Sequence, residues 1–181
     1  EVVKYLGKLP LEYEPGSKVV YSCLGYILLG EVVRQVAGMG LDRFAREQIF
    51  EPLDMKDTFF NPPEERRGEC AATEDSNSFE RRMTNYRRYT WREGVVVGEV
   101  HDENAHFLGG VAGNAGLFST ASDLAKFCRM LINGGENILS PESVRMMVTC
   151  HTRGLNESRG IGWIILSEGT LYHTGFTGTA I

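Results

Sequence analysis

The stretch "YSCLGYILLGEVVRQVAG", residues 21–38, constrains the fold more than any other segment. Leu24, Ile27, Leu28, Val32 and Val36 recur at i, i+3 and i+4 spacing, which lines apolar side chains along one side of a helix. Ser22 is a natural N-cap, and Gly38 is a natural C-terminal stop. A second helix is expected from about Leu41 to Ile49, with Phe44 and Ile49 inward and Pro52 limiting it. Ahead of both, "LPLEYEPGSKVV" reads as an extended lead-in with a turn at Pro15-Gly16.

The rest of the chain is less regular. Residues 61–94 carry seven arginines and read as a long polar surface loop with room for a short helix. "GVVVGEV", Gly94 to Val100, reads as a short strand. The glycine-rich "LGGVAGNAGLFST" then feeds a helix capped at Ser119 or Thr120, with Leu124, Phe127, Cys128 and Leu131 inward and Gly134-Gly135 after it. Ser140 at the N-cap and Pro141 at the first helical position start another helix. "GIGWIILS" and "LYHTGFTGT" read as the two strands of a hairpin with a turn over residues 167–170. The expected order is helices first and strands at the end.

Composition narrows the function classes. The chain has 181 residues, enough for one domain with a core and too few for two large ones. Its 42% apolar and 24% charged residues are ordinary globular values. A net charge of −5 argues against a dedicated nucleic-acid binder, so no nucleic-acid partner is expected. The four cysteines, Cys23, Cys70, Cys128 and Cys150, lack any C-x-x-C spacing and suggest neither a zinc site nor a dense disulfide framework.

Two short motifs could carry chemistry. In "YHTGFTGT", a strand would send His173 and Gly175 to one face and Thr174 to the other. Glycine weakens a strand interior, and close backbone approach by a ligand is one reason to keep it there. Alone, the motif also fits an edge strand with a surface histidine. In Tyr21-Ser22-Cys23, the tyrosine stands just ahead of a helix N-terminus, whose partial positive charge favours a phenolate. Alone, it also fits a tyrosine packed at a helix entry.

Rival sites are weaker. His101 and His106 in "HDENAH" lie five apart, off a common helical face, and no H-E-x-x-H occurs, so no metal is expected and the loop reads as a brace for the glycine-rich turn. "GGVAGNAG" lacks a P-loop lysine and reads as a tight backbone turn. "RRMTNYRRYTW" mixes arginine with aromatics and could meet an anionic polymer, but in an acidic chain it reads first as a solvated insertion.

Taken in order, "PGSKVVYSCLGYILLGEVVRQVAG", "FAREQIFEPLDMKDT", "GGVAGNAGLFSTASDLAKF" and "YHTGFTGT" resemble the serine β-lactamase and penicillin-binding-protein superfamily, in particular its class C branch with DD-peptidases and esterases. The resemblance runs over most of the chain and is weakest in the arginine-rich stretch from 75 to 92. It implies an α/β (α+β) β-lactamase/transpeptidase-like fold, present in part: mostly the helical lobe plus the first strands of the antiparallel sheet. Residues 1–155 would be mainly helix and loop, and 156–181 would start the C-terminal strands. It also implies acyl transfer, in which a serine of S-x-x-K attacks an ester, amide or lactam carbonyl while a lysine and a tyrosine handle its proton. Tyr21 matches the tyrosine of the family's Y-x-N element, and His173, Thr174 and Gly175 match its third element. The backbone N–H of Phe176 would be half of an oxyanion hole. Cys23, Thr174 and Gly175 would meet substrate. The resemblance implies no cofactor, a small-molecule or peptide substrate, and a bacterial cell-envelope or extracellular setting.

The chemistry explains why these groups belong together. A serine hydroxyl is a poor nucleophile until a base takes its proton. A tyrosine with a free pKa of about 10 becomes a phenolate near neutrality at a cost of roughly 4 kcal/mol. A helix N-terminus offsets about 0.3–2 kcal/mol of that, and a neighbouring ammonium is needed for much of the rest.

Yet no serine here has a lysine three residues on; Ser122 and Lys126 are four apart and follow the tyrosine. The family's nucleophile precedes its tyrosine by many tens of residues, and 20 residues precede Tyr21. The expectation is that a missing N-terminal segment of the same protein supplies the nucleophile, and that this chain alone is inactive. Two departures from the family pattern favour an esterase or DD-peptidase over a β-lactamase. Cys23 replaces an asparagine amide with a thiol, a weak donor and weak acceptor. His173 replaces lysine with a weaker, pH-dependent positive charge. The alternative is a non-catalytic family member that binds peptidoglycan-like or peptide ligands.

Overall fold

The computed structural model describes residues 2–84, 89–166 and 170–175. Packing divides the chain into two units, Glu1–Ser22 with Ala125–Ile181, and Cys23–Leu124.

In the unit Cys23–Leu124, the helix expected from the apolar repeat is present as α2 (Cys23–Ala37), and Gly38 ends it with φ +68°. Its buried face differs from the apolar stripe. Ile27 is buried, whereas Leu24, Val32 and Val36 stay exposed. On a neighbouring side the backbone itself packs closely. Gly113 of the glycine-rich loop lies against Tyr26 and Gly30, and a Cβ at Gly113 would overlap the Tyr26 carbonyl oxygen. Glycine is therefore required there for contact, not for flexibility.

The second helix starts at Leu41 as expected but changes pitch. α3 (Leu41–Ala45) passes into a π-helical turn over Arg46–Phe50, where Glu51 N–H donates to Arg46 O at 2.9 Å and Met55 N–H to Phe50 O at 2.8 Å. Ala45 and Phe50, five positions apart across the wider turn, are buried, while Phe44 and Ile49 are half-buried.

Two small antiparallel sheets follow in the same unit. β1 (Phe59–Phe60) pairs with β4 (Leu117–Phe118), with Phe59 opposite Phe118. β2 (Ala72–Asp75) pairs with β3 (Val95–Val97) through a bulge between Ala72 and Glu74. The strand at 95–97 was expected; its partner was not. The described residues of the polar stretch 61–94 correspondingly hold more regular structure than a surface loop. They form a 3₁₀ turn (Glu64–Glu69), β2 and the helix α4 (Ser78–Met83).

That stretch is ordered by a buried polar network. Glu103, at the start of α5 (Glu103–Phe107), accepts from Asn77 Nδ2, from Tyr89 Oη at 2.5 Å and from Arg92 Nε at 3.0 Å. Arg92 Nη1 and Nη2 donate to the Val100 and His101 carbonyls at 2.7 and 2.6 Å. A planar fork reaches all three acceptors at once, which a lysine ammonium could not. Asn77 takes a left-handed φ of +47°, a conformation asparagine tolerates, and this turns its amide into the network. Burial first, then the neighbouring Asp102, raises the Glu80 carboxyl. Partial burial and the bond to Glu103 push Tyr89 up to about 12. A tyrosine raised above its free value of about 10 adds stability below that pH, and the contribution is lost as pH climbs through the folded value.

Replacing Glu103 by leucine removes the carboxylate shared by Asn77 Nδ2, Tyr89 Oη and Arg92 Nε, and leaves the largely buried Arg92 guanidinium without its counter-ion. Glu103→Leu is therefore expected to destabilise this unit by about 3–5 kcal/mol, read as a lowered urea midpoint. A midpoint within error of wild type would show that the network is dispensable.

The "HDENAH" loop does brace the glycine-rich turn. Asp102 Oδ1 accepts from Ala105 N–H at 2.8 Å, capping α5, and from Asn114 Nδ2 at 3.1 Å. Val100, Ala105 and Ala112 pack as one apolar cluster beneath it. His101 Nε2 lies 3.3 Å from Glu74 Oε2 on β2.

Helix α6 (Ala121–Ile132) is capped by Thr120, whose hydroxyl accepts from Asp123 N–H at 3.2 Å. Its inner face is shifted from the expected one. Asp123, Met130 and Leu131 are buried, Phe127 is half-buried, and Leu124 and Cys128 are exposed. The shift has a polar cause. The Asp123 carboxylate accepts from Asp57 N–H at 2.8 Å and Thr58 Oγ1 at 3.0 Å, which ties the first turn of α6 to the segment before β1.

In the other unit, α1 (Val2–Leu6) precedes the lead-in, and Gly16 makes the Pro-Gly turn with φ +81°. α7 (Pro141–Val148) begins as read from the sequence, with Ser140 Oγ accepting from Ser143 N–H at 3.1 Å. The hairpin is also present: β5 (Ile164–Ile165) pairs antiparallel with β6 (Leu171–Tyr172).

Candidate active site

Tyr21 and His173 are 152 positions apart in sequence, yet their rings meet edge-to-face, with centroids 6.4 Å apart and planes at 73°. Both belong to the unit Glu1–Ser22 with Ala125–Ile181. Local structure explains each placement. His173 is the first residue beyond β6, so the β5–β6 hairpin sets its position. Tyr21 is reached from the lead-in just before α2 begins at Cys23, and half of its surface is exposed (50%). An edge-to-face pair places the positive rim of one ring on the negative face of the other.

The remaining expected site residues divide. Thr174 and Gly175 follow His173 and are exposed. Phe176, whose backbone N–H was expected in an oxyanion hole, lies outside the described residues. Cys23 is half-buried at the first position of α2 and belongs to the other unit. Among the described residues no group of three or more His, Cys, Asp or Glu side chains is placed to hold a metal ion.

One contributor has no motif to announce it. Asn156 Oδ1 accepts from Val19 N–H at 2.7 Å, and Asn156 Nδ2 donates to Val19 O at 2.9 Å. A side-chain amide thus pairs with the backbone two residues before Tyr21 as a neighbouring strand would. The loop that carries Asn156 is itself ordered. Thr152 Oγ1 donates to Glu157 O at 2.6 Å and accepts from Arg159 N–H at 2.8 Å.

A family model described as Beta-lactamase matches residues 1–181. This chain belongs to the β-lactamase family. Among curated relatives, the β-lactamase-family chain is 34% identical over 203 residues to an Escherichia coli K12 protein provisionally named a D-alanyl-D-alanine carboxypeptidase, covering 99% of this chain and 45% of that one. It is 33% identical over 197 residues to an N-acetylmuramyl-L-alanine amidase of Bacillus subtilis 168, covering 99% of this chain and 44% of the relative. It thus spans less than half the length of these two relatives. Among solved structures, a penicillin-binding-protein homologue from Pyrococcus abyssi superposes with a TM-score of 0.59 at 25% identity, over 85% of this chain and 31% of that one. The helices and small antiparallel sheets described above are therefore part of a β-lactamase/transpeptidase-like fold, as the motif order implied.

Proposed function

We propose that this β-lactamase-family chain carries one wall of a serine acyl-transfer site, and that the whole protein hydrolyses an ester or a D-amino-acid peptide through an acyl-enzyme. The meeting of Tyr21 with His173 is the observation that carries the reading. In it, a serine from a segment N-terminal to this chain loses its Oγ proton to the Tyr21 phenolate and attacks the substrate carbonyl carbon. The Phe176 N–H and the serine's own N–H hold the resulting oxyanion. Tyr21 returns the proton to the departing alcohol or amine, the carbonyl re-forms as a serine ester, and water cleaves that ester. His173, Thr174 and Gly175 line the far wall, with His173 facing a substrate carboxylate. Both curated relatives carry names that denote amide cleavage, which keeps a D-amino-acid peptide among the substrates.

The second reading is a ligand-binding family member without catalysis. The specific observation behind it is that no serine in these 181 residues has a lysine three positions on. An S-x-x-K upstream in the reading frame would favour the enzyme, and its absence the binder.

Cys23 sets the expected substrate preference. A site that hydrogen-bonds a substrate group rejects analogues strongly, and loss of that bond relaxes the choice. A thiol is a weak partner for an acyl-amide carbonyl. Simple esters are therefore expected to exceed cephalosporins in kcat/KM, and Cys23→Asn is expected to raise lactam turnover relative to ester turnover. The measurement is kcat/KM of the full-length protein for a short p-nitrophenyl ester and a chromogenic cephalosporin, in both variants. A wild type that prefers the cephalosporin, or an unchanged ratio in the variant, would leave Cys23 as a packing residue.

A further inference from the structure

We propose that Asn156 is a positioning residue: its amide clamps the backbone of Val19 on both sides of its Cα and so holds Tyr21 against His173. The inference rests on the reading of Tyr21 and His173 as site residues. Its geometry is confined to one unit and can be followed bond by bond. Val19 is gripped through both its N–H and its carbonyl, at 2.7 and 2.9 Å. Two bonds to one residue, one to each of its flanking peptides, fix its rotation as well as its distance, and Tyr21 follows two residues later in the lead-in.

The other end of the clamp leads to His173. Ile165 N–H donates to Ser158 O at 2.9 Å, and Arg159 forms an antiparallel bridge with Ile164. Ile164 in turn pairs with Tyr172, the residue before His173. The segment 156–159 therefore lies between the two halves of the site, with its backbone bonded to the hairpin and its one amide bonded to the tyrosine's lead-in. The neighbouring Arg153 and Glu157 are charged, and an ion of either sign would satisfy only one of the two Val19 groups. An asparagine presents one acceptor and one donor side by side, matching the N–H and C=O of the single residue Val19.

Asn156 is exposed and the clamp faces solvent, so its loss should leave the fold in place while freeing Val19. That separates positioning from stability. Removing the clamp displaces a reacting group without altering its chemistry, and misplacement by about 1 Å costs on the order of 10²-fold in rate.

The test has a structural and a kinetic arm. In the 181-residue chain, nuclear Overhauser contacts between the Tyr21 and His173 rings are expected in the wild type. They are expected to vanish in Asn156→Leu, to weaken in Asn156→Asp, which keeps the acceptor but loses the donor, and to return in Asn156→Gln. Circular dichroism should be unchanged in all three. Persistence of the contacts in Asn156→Leu would overturn the proposal. Should Asn156→Leu fail to fold, contacts at wild-type strength in Asn156→Asp would overturn it equally. In the full-length protein, kcat of Asn156→Leu is expected to fall about 10- to 100-fold with KM nearly unchanged. Ring contacts that vanish without any change in kcat would leave the clamp standing and would sink the catalytic role of Tyr21 instead.

Discussion

The 181-residue chain is expected to form no stoichiometric covalent adduct when incubated with a fluorophosphonate or a labelled penicillin. Both reagents need a serine whose proton is removed as it attacks, and an unassisted hydroxyl is a poor nucleophile. Removing the catalytic serine of a comparable hydrolase lowers kcat by on the order of 10⁶. No S-x-x-K occurs in the sequence, so the expected loss is of that size. The serine to watch is Ser122. It lies on α6 four residues before Lys126, and i, i+4 spacing puts both on one side of the helix. Intact-mass spectrometry with peptide mapping decides the matter. A stoichiometric adduct on Ser122, or on any other serine, would show that the chain holds its own nucleophile and would remove the need for an upstream one.

Local features of this fold were legible because their signals are local. Ser140 and Pro141 announce α7 within two residues, and Gly38 ends α2 where a left-handed residue was needed. The hairpin before His173 follows from two apolar runs around a turn. What escaped depends on distant partners. β2 reads Ala-Thr-Glu-Asp, with no apolar alternation, and is a strand because Val95–Val97 and the polar network lie beside it. Helix α6 presents a buried Asp123 that apolar periodicity counts as outward, since the partners of its carboxylate, Asp57 and Thr58, lie more than 60 positions earlier. After α3 the π-helical turn leaves Phe50 buried and Ile49 half-buried, and nothing in the residue types forecasts a change of pitch.

The candidate site was legible in a different way. Tyr21 and His173 carry no pattern that says they touch; only the order of motifs resembling one family put them on a common wall. The structure brings their rings together. Asn156 shows the limit of that route. A side chain bonded to a backbone has no periodicity and no preferred neighbour in sequence, so only coordinates could relate Asn156 to Val19 across 137 positions.

Tyr21→Phe is expected to lower kcat of the full-length protein by about 10²- to 10⁴-fold, the span that a positioned general base contributes. At 1.36 kcal/mol per factor of ten, that is roughly 3–5 kcal/mol of the barrier. The substitution is a clean one because it removes a single oxygen. A phenylalanine ring keeps the edge-to-face contact with His173, so the lead-in and the hairpin stay in register. KM should move little, since the hydroxyl is required for proton transfer and not for holding the substrate in its ground state. A binder without catalysis gives the opposite pattern, in which turnover is absent from the start and Tyr21→Phe changes only affinity. The decisive measurement is the pair kcat and KM for a p-nitrophenyl ester in wild type and variant. A variant that keeps more than about a tenth of wild-type kcat would place the base elsewhere, below what even a modest general base supplies. The Tyr21–His173 contact would then be a packing contact at a helix entry.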